Sequence, residues 1–231
     1  MQVPWLSKKS IAEIASTVIS GYQGSVGHLV KPPIPIDEII ESYLRLRLEY
    51  MDFEKMPGIK GVLGAIYVSS RRICFNEKLL DADSEGRLSF TCAHEVGHWI
   101  LHRDYIEKAE RSNQNHDVII CRTKDAKLPI EWQADYFAAC LLMPEEWVKE
   151  SFYLIYGHVP LELHNIMSSF NGPLCFDPCA ENWYLIADAV CKAGGFSNVS
   201  KQAMIIRLQD LGLLKNLSGA KLGGQKTFFK N

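Results

Sequence analysis

The segment Thr91-Cys-Ala-His94-Glu95-Val-Gly-His98-Trp-Ile-Leu-His102 holds the residues of this 231-residue chain best suited to chemistry. On a helix, residues four apart differ by about 40° and about 6 Å of rise. His94 and His98 therefore point the same way, one above the other, and their imidazoles can share one Zn²⁺. Glu95 lies on the same side, about 60° from His98. It can reach water at such an ion without being a ligand itself, as a general base requires. Chance alone gives this pattern in roughly one sequence in 70 of this composition. The bland alternative is a helix with coincidental histidines. The flanking Leu88, Phe90, Trp99 and Ile100 speak against a solvated tract and for a packed helix.

A zinc site needs a third protein ligand. His102 is eight residues past His94, about 12 Å along the axis and about 80° around, too far for one ion to serve both. It reads as a helix-end histidine, favoured by the C-terminal dipole or by a nearby hydrogen bond. Glu131-Trp-Gln-Ala-Asp135 is the better source: Glu131 and Asp135 share a face that Ala134, Ala138 and Leu142 continue. Small alanines allow the close helix approach that a shared metal requires. Glu131 then completes a His₂Glu set with a fourth position left for water. Asp135 is placed to accept the outer N–H of a liganding histidine and fix its tautomer. The bland alternative, a solvated acidic face, fits poorly beside Phe137, Leu141 and Leu142.

The elements that must hold these residues are legible in part. Ser10-Ile-Ala-Glu13 is a capping-box pattern and predicts a helix to about Tyr22. A short helix is expected near 37–43. Leu44, Leu46, Leu48 and Tyr50 alternate with charged residues, the period of a half-buried strand. Two more strands are expected at 62–68 and 72–76, so about three strands precede the main helices. The metal-motif helix is expected over 84–103, followed by a long polar connection over 104–127 with a candidate strand at 118–121. Pro129 suits the first turn of the next helix, to about Met143. Pro144 starts another, to about Tyr156. Residues 157–179 look irregular, two helices follow near 180–192 and 200–211, and 218–231 reads as a frayed tail. The fold class is α+β: a small three-stranded sheet beside a helical zincin core, with a C-terminal helical appendage. The expected domains are 1–156 and 157–231.

FTCAHEVGHWILH followed by EWQADYFAACLLMP resembles the ImmA/IrrE family of cytoplasmic zinc metallopeptidases. The preceding GVLGAIYVSSRRICFN and the PIPIDEII opening are similar too, and VSKQAMIIRLQDLGLL is loosely similar to the family's C-terminal helical segment. The resemblance implies that His94, His98 and Glu131 ligate zinc and that Glu95 is the catalytic base. It also implies a protein substrate, a helix-turn-helix repressor whose loss lifts repression of mobile elements or stress genes. The cofactor is expected to be one Zn²⁺ per chain, with Mn²⁺ as the alternative. The sequence departs from the family in its long connection between the two motif helices, and it has no room for an added sensor domain.

Composition agrees with a soluble globular protein: 47% hydrophobic and 23% charged residues. No run reaches the roughly 18 apolar residues that span a bilayer, and the N-terminus shows no secretory leader pattern. Seven scattered cysteines read as reduced thiols of a cytoplasmic protein rather than a disulfide scaffold. Cys175, Cys179 and Cys191, with His158 or His164, form a ragged set for a second metal, and packed free thiols are the simpler reading. From Lys192 onward seven Lys/Arg face one acid, Asp210. A nucleic-acid contact at 192–231 is one reading; a helical pair with solvated lysines is the plainer one. Tyr67, Tyr105, Tyr136 and Tyr156 are all candidate oxyanion stabilisers, and the sequence does not choose among them. The edge strand near Ala65–Val68 is a candidate site for substrate β-addition. Two rival functions stand beside peptidase: a metal-containing anti-repressor that only sequesters its partner, and a DNA-binding regulator working through the C-terminal helices.

Overall fold

Ser7 opens the first helix, α1 (Lys8–Val26), its hydroxyl accepting from the Ser10 backbone N–H at 3.1 Å. The start expected at Ser10 is therefore one turn late. Ser7 is as good a cap as Ser10, and the Lys8-Lys9 turn adds no apolar residue to betray it. Ile11, Ala15, Val18, Ile19 and Tyr22 form the buried stripe, spaced as a core-facing helix face should be. The computed structural model describes residues 3–55, 61–80, 85–112, 119–122, 129–163 and 180–217. Contacts divide the chain into two units, one of Met1–Val30 with Ile34–Leu142, the other of Lys31–Pro33 with Met143–Asn231.

In the first unit, α2 (Ile36–Glu38) runs straight into a π-helical turn at Ile39–Tyr43. The strands are β1 (Arg47–Met51), β2 (Val62–Tyr67) and β3 (Arg72–Asn76), close to where alternation and β-branched content put them. A fourth, β4 (Ile119–Arg122), completes a mixed sheet of order β1-β3-β2-β4. β1 pairs parallel with β3, while β2 pairs antiparallel with both β3 and β4. The alternation of β1 disappears in β2 and β3, whose residues are nearly all buried. Both faces of these inner strands are covered, so no polar face is needed. Phe53, Val62, Ala65, Tyr67 and Cys74 make one core cluster.

The long helix α3 (Glu85–Ser112) carries the metal motif, and α4 (Pro129–Leu142) packs on it. α3 continues well past the stop expected at Arg103. Residues 104–112 contain neither Gly nor Pro and are rich in Glu, Lys, Arg and Ala, good helix formers whatever their polarity. Polarity there accompanies a continuing helix, not a loop. In α4 every residue from Ile130 to Leu142 except Trp132 is buried, so it is a core helix rather than a surface one. The fold is α+β.

The second unit holds α5 (Glu145–Tyr156), α6 (Ala180–Gly194) and α7 (Lys201–Asp210). α6 packs on both α5 and α7. Ser200 caps α7, accepting from the Ala203 N–H at 3.1 Å. Two short strands, β5 (Leu161–Leu163) and β6 (Leu214–Asn216), pair in parallel. β5 lies in the stretch expected to be irregular and β6 in one where no element was expected, because three residues are too few to show a period. Arg207 is only 2% exposed; its Nε donates to the Met143 carbonyl at 3.1 Å and its Nη1 to Asp210 at 3.1 Å. The expected tail, 218–231, lies outside the described residues. Among the described residues no helix is long and apolar enough to cross a membrane.

Breaking one side of a buried pair strands the other charge. Asp210→Ala is expected to destabilise the protein by about 3–5 kcal/mol, read as a lower urea midpoint. An unchanged midpoint would mean that Arg207 reaches solvent on losing its partner.

Candidate metal centre

Gly97, inside the His-Glu-x-x-His turn, sets the distance between α3 and α4. A Cβ placed there would lie 3.1 Å from both the Cα and the carbonyl oxygen of Ala134, and 3.2 Å from the Phe137 ring. The helices thus meet across one residue without a side chain and one with only a methyl. The small-residue stripe of α4 works as its sequence suggests. This approach carries Glu131 and Asp135 of α4 to His94 and His98 of α3.

The Nε2 atoms of His94 and His98 are 3.0 Å apart. Glu131 Oε2 lies 3.2 Å from the first and 3.6 Å from the second. Donors at about 2.1 Å from a tetrahedral ion stand about 3.4 Å from one another. The three separations bracket that edge, so the residues present fit a Zn²⁺-class ion. His94, His98 and Glu131 form the metal-capable cluster among the described residues. Burial alone would raise the Glu131 carboxyl, but the two imidazoles beside it outweigh that and bring it down to about 2. Glu131 is anionic, as a ligand must be.

Behind these donors stands a second layer of buried polar groups. Asp135 Oδ1 is 2.8 Å from His94 Nδ1, the carboxylate–imidazole contact that the four-residue spacing predicts. His98 Nδ1 lies 3.1 Å from His102 Nδ1, and His102 Nε2 lies 3.0 Å from Gln133 Oε1. Gln133 Nε2 donates to the Pro4 carbonyl at 2.9 Å. His102 is therefore no helix-end histidine. α3 runs on to Ser112, and His102 is 1% exposed. Burial pushes its pKa down to about 4, so it is neutral at pH 7. As its spacing requires, it is not a third donor; it sits on the far side of the His98 ring.

Glu95 is fully buried and faces β2. A Cβ on Gly64 would come 2.5 Å from Glu95 Oε1 and 3.0 Å from its Cδ. Only a glycine there leaves space for the carboxylate. Sequence reading passed over Gly64, although a glycine inside a strand is itself a mark of close approach. The β-addition site expected at Ala65–Val68 is corrected: β2 is an inner strand, its outer side paired with β4 from Val62 to Ile66. Tyr67 packs into the Phe53 cluster, on the strand face opposite Gly64, and so away from Glu95.

Other sequence signals find less here. Each cation described in 192–217 has a carboxylate partner: Lys192 and Lys201 meet Asp188, Arg207 meets Asp210, and Lys215 meets Glu162. Cys175, Cys179 and His164 lie outside the described residues. Cys191 is a free thiol that burial raises to about 11, and the His158 ring lies tilted against Tyr153, with centroids 4.3 Å apart.

The donor set predicts one tightly held divalent ion per chain, Zn²⁺ or Mn²⁺, measured by elemental analysis of the purified protein. His98→Ala should lose it. Metal content unchanged in that variant would remove His98 from the site.

Comparison with known proteins agrees with this geometry. A peptidase family model described as the IrrE N-terminal-like domain matches residues 47–171, a span that includes α3, α4 and the whole sheet. No curated protein matches the chain. With more than half of its length matched, the chain belongs to the IrrE N-terminal-like family of metallopeptidases.

Proposed function

We propose that the protein is a zinc-dependent endopeptidase, with His94, His98 and Glu131 as metal ligands, Glu95 as catalytic base and Asp135 orienting His94. The observation that carries this is a three-donor cluster of tetrahedral dimensions with a buried carboxylate one residue from the first ligand. A bound Zn²⁺ supplies Lewis-acid activation of both water and the scissile carbonyl. Glu95 then takes the proton of the attacking water and hands it to the leaving amine. Its burial against Gly64 holds the carboxylate in a single place, which such a transfer needs. Asp135 keeps a proton on His94 Nδ1, so that the Nε2 lone pair is free for the metal.

The substrate we infer from the family resemblance is a helix-turn-helix repressor, met in the cytoplasm. Free thiols at Cys74, Cys92 and Cys191 suit a reducing compartment. We assign catalysis to a domain spanning 1–156 and leave 157–231 as a C-terminal helical segment. The pairing of each described basic side chain in 192–217 speaks for that segment as a packed helical unit and against nucleic acid as its ligand. Sequestration without cleavage is the second reading. A purely structural metal has no use for Glu95, nor for a glycine that clears space beside it.

Glu95→Gln separates the two readings. The metal should stay, while hydrolysis of a helix-turn-helix repressor offered as substrate should fall by at least about 10²–10⁴-fold. Cleavage at the wild-type rate would sink the peptidase reading and favour sequestration. Gly64→Ala should act similarly by displacing the Glu95 carboxylate: normal fold and metal content, with kcat sharply reduced. Full activity in that variant would place the base elsewhere.

The carboxylates of α4 should rank by role. Glu131→Ala removes a metal bond and should nearly abolish binding. Asp135→Ala should cost about 10–100-fold in zinc affinity, and Asp135→Asn, which keeps an acceptor, should cost less. Zinc titration against a competing chelator gives the order. Wild-type affinity in Asp135→Ala would overturn the orienting role.

A further inference from the structure

Two ligand histidines need two outer acceptors, and the structure answers them differently. His94 has an anionic one, Asp135. His98 has the uncharged chain His102–Gln133–Pro4. Its direction follows from its far end. The Pro4 carbonyl only accepts, so the Gln133 amide must turn its NH₂ toward Pro4 and its oxygen toward His102. That oxygen also only accepts, so His102 carries its proton on Nε2. A neutral imidazole with Nε2–H has a bare lone pair on Nδ1. That lone pair can only accept, which places the His98 proton on Nδ1. The His98 Nε2 is then bare and lies 3.0 Å from His94 Nε2, among the donors.

We propose that His102 and Gln133 are positioning residues, forming a relay that starts at the Pro4 carbonyl and locks His98 in its metal-ready tautomer. The relay rests on the metal reading of His98. Pro4 and α4 are sequence-distant, yet the acceptor is held in place independently of the bond it receives. The adjacent Trp5 stacks on Trp132 with ring centroids 5.0 Å apart and planes 7° apart. Trp132 in turn stacks on Tyr136 at 5.8 Å, and Lys8 Nζ sits 5.5 Å from the Tyr136 ring centroid. His98, His102 and Gln133 are buried, and neither the Gln133 amide nor the Pro4 carbonyl carries a charge. An anionic acceptor would raise the basicity of His98, whereas this chain fixes its orientation and adds no charge to the centre. Pro4, at the head of the relay, lies ahead of the family-matched span, which begins at residue 47.

The test uses the full chain with ¹⁵N-labelled histidine and long-range ¹H–¹⁵N spectra, recorded metal-free and with added Zn²⁺. His102 should show its proton on Nε2 in both states, and His98 should be protonated on Nδ1 when Zn²⁺ is present. His102 found protonated on Nδ1 or on both nitrogens at neutral pH would overturn the relay. Zinc affinity supplies a second arm. His102→Leu should lose about 10–100-fold, and His102→Gln, which offers an amide oxygen near the same place, should recover part of it. A folded His102→Leu with wild-type affinity would also overturn the proposal. Should His102→Leu fail to fold, the wild-type tautomers decide alone. Failure of the wild type to take up Zn²⁺ would instead sink the metal reading, while the His102 tautomer in the metal-free protein still judges the relay.

Discussion

The close approach of α3 and α4 at Gly97 and Ala134 is the constraint on which the rest of this structure depends. Imidazole and carboxylate side chains are short. Two helices at the usual 8–10 Å separation can converge on one ion only if nothing bulky stands between them at the crossing. With a glycine on one helix and an alanine on the other, the backbones come near enough for Glu131 to reach both Nε2 atoms. The same approach places Asp135 behind His94 and Gln133 behind His102. One crossing therefore brings together the two imidazoles, Glu131 and the buried polar groups behind them.

That crossing also explains why so many polar groups are tolerated in a core. His98, His102, Glu95, Glu131, Gln133 and Asp135 are all buried. Each would be costly alone. Most of them are joined by hydrogen bonds of 2.8 to 3.2 Å, so the cost of taking them out of water is offset within the cluster. A network of this kind is stiff, because the loss of one member exposes the next as an unpaired buried group. Stiffness serves a metal centre, where ligand geometry must persist before the ion arrives.

Much of this was legible in the sequence, for a physical reason. Both ligand motifs use the four-residue repeat of a helix, and the alanines beside Glu131 and Asp135 announce close packing. What escaped lies in pairings that no local pattern records. Gln133 meets Pro4 across 129 residues. Gly64 meets Glu95 between a strand and a helix, and its only local sign is an out-of-place glycine. The length of α3 was misjudged because polarity was read as loop, when composition still favoured helix. The inner position of β2 was missed because its partner β4 lies beyond α3 in the chain. β5 and β6 are simply too short to announce themselves.

The N-terminal segment has a practical consequence for anyone handling this protein. Family matching begins at residue 47, and a domain trimmed to that boundary would retain both motif helices and the whole sheet. It would nevertheless lack Pro4, Trp5 and α1, leaving the Gln133 amide buried with no carbonyl to hold its orientation. A tag fused just ahead of Pro4 would sit a few bonds from the same acceptor. The first residues lie ahead of the matched span, yet through Pro4 they hold the buried Gln133 amide.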